Sequence, residues 1–204
     1  MSSHDPKADL HRYLQAAREA VVWKTEGLSE YDVRRPLTPT GTNLLGLVKH
    51  LAGVEFAYFG TVFGRPHGES LSWHDDDDGA EPNADMWATA DEPRDGILDL
   101  YRRSWAHADA TVEALPLDAT GRVPWWGERG HGVTLQRILL HMTAETNRHA
   151  GHADIVRELI DGSAGMRRAE GNMEGGDEKW YGEYRDRLER HARQAHDRTG
   201  AAGS

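Results

Sequence analysis

The stretch TLQRILLHMTAETNRHAGHADIVRELIDG, residues 134–162, decides the fold of this chain. Its apolar residues recur every three or four positions, which is the period of one face of an α-helix. Threonine at its start can cap a helix, and glycine at its end is a common helix terminator. The pattern therefore predicts one long helix from about Thr134 to Asp161.

One face of this predicted helix is apolar at both ends and ionisable in the middle. In steps of three and four its members are Leu135, Ile138, Met142, Glu145, His149, His152, Val156 and Leu159. Such a face packs against neighbouring helices, so the three ionisable side chains are expected to point inward. A carboxylate in an apolar interior is costly without a partner, so Glu145 requires one.

A divalent metal ion is the partner that this spacing favours. Glu145 and His149 are four residues apart, which puts their Cβ atoms about 5–6 Å from each other on one helix face. His50, in LVKHLAGVE (47–55), lies at the edge of another apolar helix face and supplies a third ligand. Three ligands leave coordination positions open, as in catalytic sites. The set suits zinc, and also iron, nickel or manganese.

Blander interpretations exist for each of these residues. A single inward histidine is usually a hydrogen-bonded core residue, and Glu145 with His149 can form a buried salt bridge. Three ionisable positions in succession, facing a histidine on another helix, favour the metal. His152 is expected to orient a ligand or contact substrate. His141, four residues before Glu145, is a further candidate contact.

The rest of the chain predicts an all-α protein, since no convincing alternating strand pattern is found. Further helices are predicted over residues 9–28, 42–63 and 92–115, with a weaker amphipathic one over 178–196. Four long helices with moderate connections predict a four-helix bundle over residues 1–162. Residues 163–204 are expected to form a glycine-rich linker and a helical extension, packed on the bundle or trailing from it.

The amino-acid composition of the chain limits the classes of partner that it can bind. With 34 acidic and 24 basic residues, the formal net charge is −10, which disfavours nucleic-acid binding. The chain has no cysteine, so a disulfide, a thiolate ligand and a cysteine nucleophile are all excluded. Neither a signal-peptide core nor an apolar run of about 18 residues is present. The sequence predicts a cytoplasmic protein without a membrane partner.

The connections hold two features of interest. The block Asp75–Asp78 is interpreted as a solvated loop, because calcium loops alternate their ligands with other residues. Trp125 and Trp126 are candidate substrate-binding residues, as a wall or lid over the pocket, or else a plug at the end of the bundle. Three side chains of the long connection over residues 64–92 are expected to pack within that connection rather than line the pocket: Trp73, His74 and Trp87.

Two segments, TNLLGLVKHLAGVE (42–55) and ILLHMTAETNRHAGHADIVRELIDG (138–162), resemble the signature helices of the DinB-like superfamily, in particular its actinobacterial branch of mycothiol-dependent enzymes. The resemblance covers most of residues 8–162. It implies an up-down-down-up four-helix bundle with a divalent metal near one end.

The resemblance also bears on the ligands. Three histidines bind the metal in much of the superfamily, whereas Glu145 stands at one of those positions here. This matches the His-Glu-His arrangement of the mycothiol-dependent isomerases in that branch. It implies the same set that spacing favours, namely His50, Glu145 and His149. His152 falls where relatives often carry glutamine, which supports a role beside the ligands.

The function that the resemblance implies is a metal-dependent thiol S-transferase. It would activate a mycothiol-like, low-molecular-weight thiol as a metal-bound thiolate that attacks an electrophilic small molecule, with His152 in a catalytic role. Two alternatives stay open: a hydrolase or isomerase that activates water at the same metal, and a non-catalytic metal-binding stress-response protein. The exposed apolar side of the first helix, or the C-terminal segment, could support a homodimer.

Overall fold

The computed structural model describes residues 5–71, 73, 81–168 and 175–201. Within these residues the α-helices are α1 (Pro6–Trp23), α2 (Glu30–Arg34), α3 (Leu44–Phe59), α4 (Arg94–Ala114), α5 (Leu135–Asp161) and α6 (Glu178–Ala201). Short 3₁₀ helices cover Thr61–Phe63, Ala84–Met86 and Pro124–Gly130, and strands β1 (Thr120–Arg122) and β2 (His131–Thr134) form an antiparallel pair. The mostly helical fold is the one that the sequence predicts.

The ends of α5 are where the sequence predicts them. The Thr134 side chain accepts a hydrogen bond from the backbone of Arg137, which caps the helix. At the other end Gly162 has a φ of 78°, a left-handed conformation that glycine adopts without steric cost.

The bounds of α3 differ from the prediction at both ends. Asn43 caps the helix in place of Thr42, because its side-chain oxygen accepts from the backbone N–H of Gly46 at 2.8 Å. The α-helix ends at Phe59 rather than at Phe63. At Gly60 the chain turns so tightly that an added Cβ would lie 2.4 Å from the carbonyl oxygen of Phe56.

The short helix α2 and the pair of strands β1 and β2 were not predicted from the sequence. The helix predicted over residues 9–28 ends at Trp23. The short helix α2 begins after Ser29, whose side chain caps it by accepting a hydrogen bond from the backbone N–H of Asp32. The strands β1 and β2 pair Thr120 with Thr134 and Gly121 with Val133. Strands of three and four residues are too short to show an alternating pattern in the sequence.

Contacts between the long helices fix their directions. Arg157, near the end of α5, donates to the backbone carbonyl of Lys24, just after α1, so the two helices end side by side and are parallel. α3 is antiparallel to α5, because the ring of Tyr58 near the end of α3 lies 4.7 Å from that of His141 near the start of α5.

α4 is parallel to α3. Lys49, early in α3, pairs with Glu92, just before α4, at 2.8 Å. Arg65, just after α3, donates to Thr111 near the end of α4 at 3.0 Å. The order is therefore up-down-down-up, and two parallel neighbours need a long return connection, which residues 60–93 provide. The predicted loop Asp75–Asp78, like His74, lies outside the described residues.

A buried ion cluster joins α1, α3 and α4. The Arg18 guanidinium donates two bonds to Glu55, at 2.8 and 2.7 Å, and a third to Asp109 at 2.8 Å. The side chains of Arg18 and Glu55 are fully buried. Burial raises the pKa of Glu55 in spite of this partner. Although burial alone would lower the pKa of Arg18, the two carboxylates raise it, so the guanidinium stays charged.

The chain beyond α5 is tied back to α1. The Lys24 ammonium is fully buried, donates to the carbonyl of Gly165 at 2.5 Å and pairs with Asp154 at 2.6 Å. Burial lowers the pKa of this amine, although Asp154 opposes the shift. The indole N–H of Trp23 donates to the carbonyl of Met166 at 3.0 Å.

The chain divides into two compact units, residues 1–170 and 171–204. In the second unit α6 extends past its predicted end at residue 196, and its Trp180 and Tyr184 rings stack with centroids 5.2 Å apart. Over the described part of the chain, no helix combines the length and apolar character needed to cross a membrane.

Candidate metal centre

The packing of α3 against α5 brings His50, Glu145 and His149 together. One ligand atom from each lies within 4.8 Å of the other two. Glu145 Oε1 is 3.0 Å from His149 Nε2 and 3.9 Å from His50 Nε2. Atoms bound about 2.0–2.2 Å from one tetrahedral ion lie roughly 3.4 Å apart. Small side-chain rotations therefore suffice for the three to share an ion.

The centre is closed on one side and accessible on the other. The side chain of His149 is 6% exposed, whereas those of His50 and Glu145 are 19% and 26% exposed. This asymmetry leaves room for further ligands on the accessible side, which an active site requires and a closed structural site lacks.

The predicted inward face of α5 is wrong at its C-terminal end. His152 is exposed, and Leu159 is 59% exposed, although the pattern placed both inside. A straight α-helix drifts about 20° per heptad relative to a strict three-four repeat, so a face followed for more than three heptads rotates away from its neighbours. The residues buried there are Ala150, Ala153, Val156 and Arg157.

A carboxylate that the sequence analysis missed orients His50. Asp85 Oδ2, in the 3₁₀ helix Ala84–Met86, lies 2.6 Å from His50 Nδ1. An ionised carboxylate only accepts hydrogen bonds, so Nδ1 carries the proton and the Nε2 lone pair is free toward Glu145. Asp85 follows an acidic stretch without periodicity, and no signal in the sequence separates it from its neighbours.

His149 is held neutral by its surroundings. Burial lowers its pKa, and the neighbouring His50 lowers it further, against the opposite effect of Glu145. Its Nδ1 atom is buried without a hydrogen-bond partner among the described residues. Two imidazoles and one carboxylate whose ligand atoms face each other form a donor set that divalent transition metals bind, so the residues present fit a metal ion.

An aromatic cluster lies beside the centre and comprises Tyr58 on α3, His141 on α5, and Trp125 and Trp126 in the 3₁₀ helix Pro124–Gly130. His141 packs against Tyr58 and Trp126, with ring centroids 4.7 and 4.9 Å apart, and the Trp125 indole donates to the Tyr58 hydroxyl at 3.1 Å. Trp126 packs partly on the core, while Trp125 is 50% exposed. Burial lowers the pKa of His141, which lies one helical turn before Glu145. The sequence analysis missed Tyr58, whose position in an apolar stripe marks it only as core.

His152 and Gly151 lie on the accessible side of α5. The His152 ring stands edge-on to that of His149, with centroids 5.4 Å apart. A Cβ added to Gly151 would meet nothing within 4 Å, so no neighbouring backbone explains this glycine.

Two tryptophans of the connection between α3 and α4 contact Lys49 of α3. The Lys49 ammonium lies 4.4 Å from the Trp73 ring centroid and donates to the carbonyl of Trp87 at 3.0 Å. The Trp73 side chain also packs against the core.

An up-down-down-up bundle with a two-histidine, one-carboxylate cluster between α3 and α5 defines a DinB-like protein. A search of curated proteins finds none that matches the chain. The model of the mycothiol-S-transferase family matches residues 9–162, and the chain belongs to this family. Membership makes it a transferase with mycothiol as cosubstrate, in agreement with the prediction from the sequence.

Proposed function

We propose that this enzyme joins the sulfur of mycothiol to an electrophilic small molecule at a divalent metal held by His50, Glu145 and His149. One observation carries the proposal: the three ligand atoms converge within 4.8 Å, at the interface of α3 and α5, in a chain of the mycothiol-S-transferase family. Zinc is the ion that this donor set suits best.

Each residue has a distinct task in this proposal. A divalent cation at the centre would lower the pKa of a coordinating thiol and hold it as the nucleophilic thiolate. Glu145 reduces the net positive charge of the centre, so the sulfur stays nucleophilic. His152, whose exposed ring stands next to His149, would accept the proton that the thiol loses on binding. The electron pair of the resulting thiolate would then form the bond to carbon, and a leaving group such as halide would depart with the electron pair of the bond that breaks.

The aromatic cluster is the proposed binding surface for the electrophile. Its rings begin one helical turn from Glu145, and the half-exposed Trp125 offers an apolar, planar face to a ligand. Trp126 and His141 would support that face from below, since both pack against Tyr58. We also place the enzyme in the cytoplasm, with which its lack of cysteine is compatible.

The direct test is consumption of mycothiol with a generic electrophile such as a haloarene, measured on metal-loaded protein. We expect His50→Ala to lose the metal-dependent rate, because one ligand and its tautomer-fixing hydrogen bond disappear together. His191→Ala, on the exposed surface of α6, is the matched control and should retain the rate.

Two results would contradict the proposal. Equal rates for wild-type protein and His50→Ala would show that the centre does not activate the thiol. Turnover of the electrophile at an undiminished rate without any thiol would favour the water-activating alternative.

A further inference from the structure

The return connection docks on the start of α3 through a short segment, Ala84–Trp87, which we call the docking segment. The approach is so close that a Cβ on Gly46 would lie 1.8 Å from the carbonyl oxygen of Met86. The Asn43 side-chain amide donates to the same oxygen at 3.1 Å, and Lys49 donates to the carbonyl of Trp87 at 3.0 Å. These contacts fix the backbone of the docking segment on α3.

The docking segment places one carboxylate at the metal centre. Asn83 precedes it in a left-handed conformation, with a φ of 62°, which turns the chain into the 3₁₀ helix. Asp85 then reaches His50 Nδ1 at 2.6 Å, which is short for a hydrogen bond from a ring N–H to a carboxylate. Asn43, Gly46 and Lys49 hold the segment without using the Asp85 side chain, so its carboxylate can be removed while the segment stays docked.

We propose that Asp85 is the positioning residue of the metal centre, and that the docking segment delivers it. Its carboxylate holds the proton on His50 Nδ1, turns Nε2 toward Glu145 and makes Nε2 a stronger donor to a cation. The inference rests on the proposed metal site. It gives the acidic connection a role in metal binding, in addition to its role of joining the parallel helices α3 and α4.

His50 differs in this respect from His149. The Nδ1 atom of His149 is buried and has no hydrogen-bond partner among the described residues, so packing and the 3.0 Å contact of its Nε2 atom with Glu145 hold its ring. The His50 side chain is more exposed, and its Nε2 atom lies 3.9 Å from Glu145, so its short polar contact is the one that Nδ1 makes with Asp85. The accessible histidine is therefore the one whose Nδ1 atom is bound by a carboxylate.

The test is zinc affinity, measured by competition with a chromophoric chelator. We expect Asp85→Ala to bind zinc about 10–100-fold more weakly than the wild type, the range for lost outer partners of metal ligands. Asp85→Asn should fall between the two, because its amide oxygen still accepts from Nδ1–H but carries no charge. Asp91→Asn is the matched control: it removes an exposed acid of the same connection and should leave the affinity unchanged.

Two further measurements separate positioning from a general structural effect. In nitrogen-edited NMR of the zinc-loaded protein, the Nδ1–H signal of His50 should be present in the wild type and in Asp85→Asn, and lost in Asp85→Ala. Gly46→Ala keeps the carboxylate but displaces Met86, so it too should weaken zinc binding.

The outcomes are distinct. If the wild type binds zinc and Asp85→Ala binds it equally tightly, Asp85 is not a positioning residue, while the proposed function stands. If the wild type fails to bind any divalent metal, both proposals are wrong.

Discussion

Two of the places where this bundle buries ionisable residues, the ion cluster and the metal centre, differ in how their charges are partnered. In the ion cluster, the Arg18 guanidinium donates two bonds to the carboxylate of Glu55 and one to that of Asp109, so the protein itself supplies the cation for both carboxylates. In the metal centre, His50, Glu145 and His149 each turn one ligand atom toward a shared point. A buried charge is thus no mark of a site in itself. A metal site is marked instead by a set of ligand atoms for which the protein itself supplies no cation.

The largest effect that we expect is the loss of stability in Arg18→Ala. It leaves Glu55 buried without its partner, which costs about 3–5 kcal/mol for a broken buried pair. Denaturant unfolding of the metal-free protein measures the effect. The double variant Arg18→Met with Glu55→Met removes both charges and should recover most of the loss. If the double variant is as unstable as the single one, the cluster does not work through charge balance.

The next largest effect concerns zinc binding and distinguishes the metal centre from the ion cluster. His50→Ala should weaken zinc binding by more than the about 10–100-fold expected for loss of an outer partner. It should change the unfolding free energy of the metal-free protein little, because His50 and its partner Asp85 are both partly exposed. Chelator competition and denaturant unfolding on the same sample check both statements. A large loss of metal-free stability would mean that the centre is a structural cluster like the first.

The fold could be predicted further than the site, for reasons that particular residues show. The bounds of α5 follow from its period and caps, and Glu145 and His149 follow from their spacing of four. Asp85 and Arg18 could not be found, because their roles depend on contacts between segments far apart in the chain. The exposure of His152 depends on accumulated helical drift, which a three-four pattern does not include.

A smaller effect concerns pH. Burial lowers the pKa values of His149 and His141, so below their ordinary value of about 6.5 the unfolded chain binds protons that the folded chain resists. The stability that these neutral rings contribute is complete above pH 6.5 and is lost as the pH falls toward their folded values. Thermal unfolding of metal-free protein against pH should show this decline.

The variants His149→Gln and His141→Gln test the origin of that decline. Each should flatten it, while His191→Ala, at an exposed position on α6, should not. A decline that persists with both rings replaced would assign the effect to other groups and not to the centre.

The smallest expected effect is a gain in stability. Gly151→Ala should stabilise the protein by up to about 1 kcal/mol, because glycine is costly inside a helix and an added methyl meets no atom within 4 Å. Denaturant unfolding measures the gain, and zinc affinity serves as the control, which should not change. A stable variant with normal zinc affinity but slower mycothiol transfer would show that substrate uses the surface next to His152.

The family match ends at residue 162, yet the physical end of the domain lies beyond it. Lys24 is fully buried, and the carbonyl of Gly165 accepts one of its hydrogen bonds, while Met166 accepts from Trp23. A chain cut at the border of sequence similarity would strand an ammonium group in an apolar setting with fewer acceptors. The five residues after α5, 162–166, thus cover a buried amine, and a shortened protein that omits them should be less stable although all its long helices are intact.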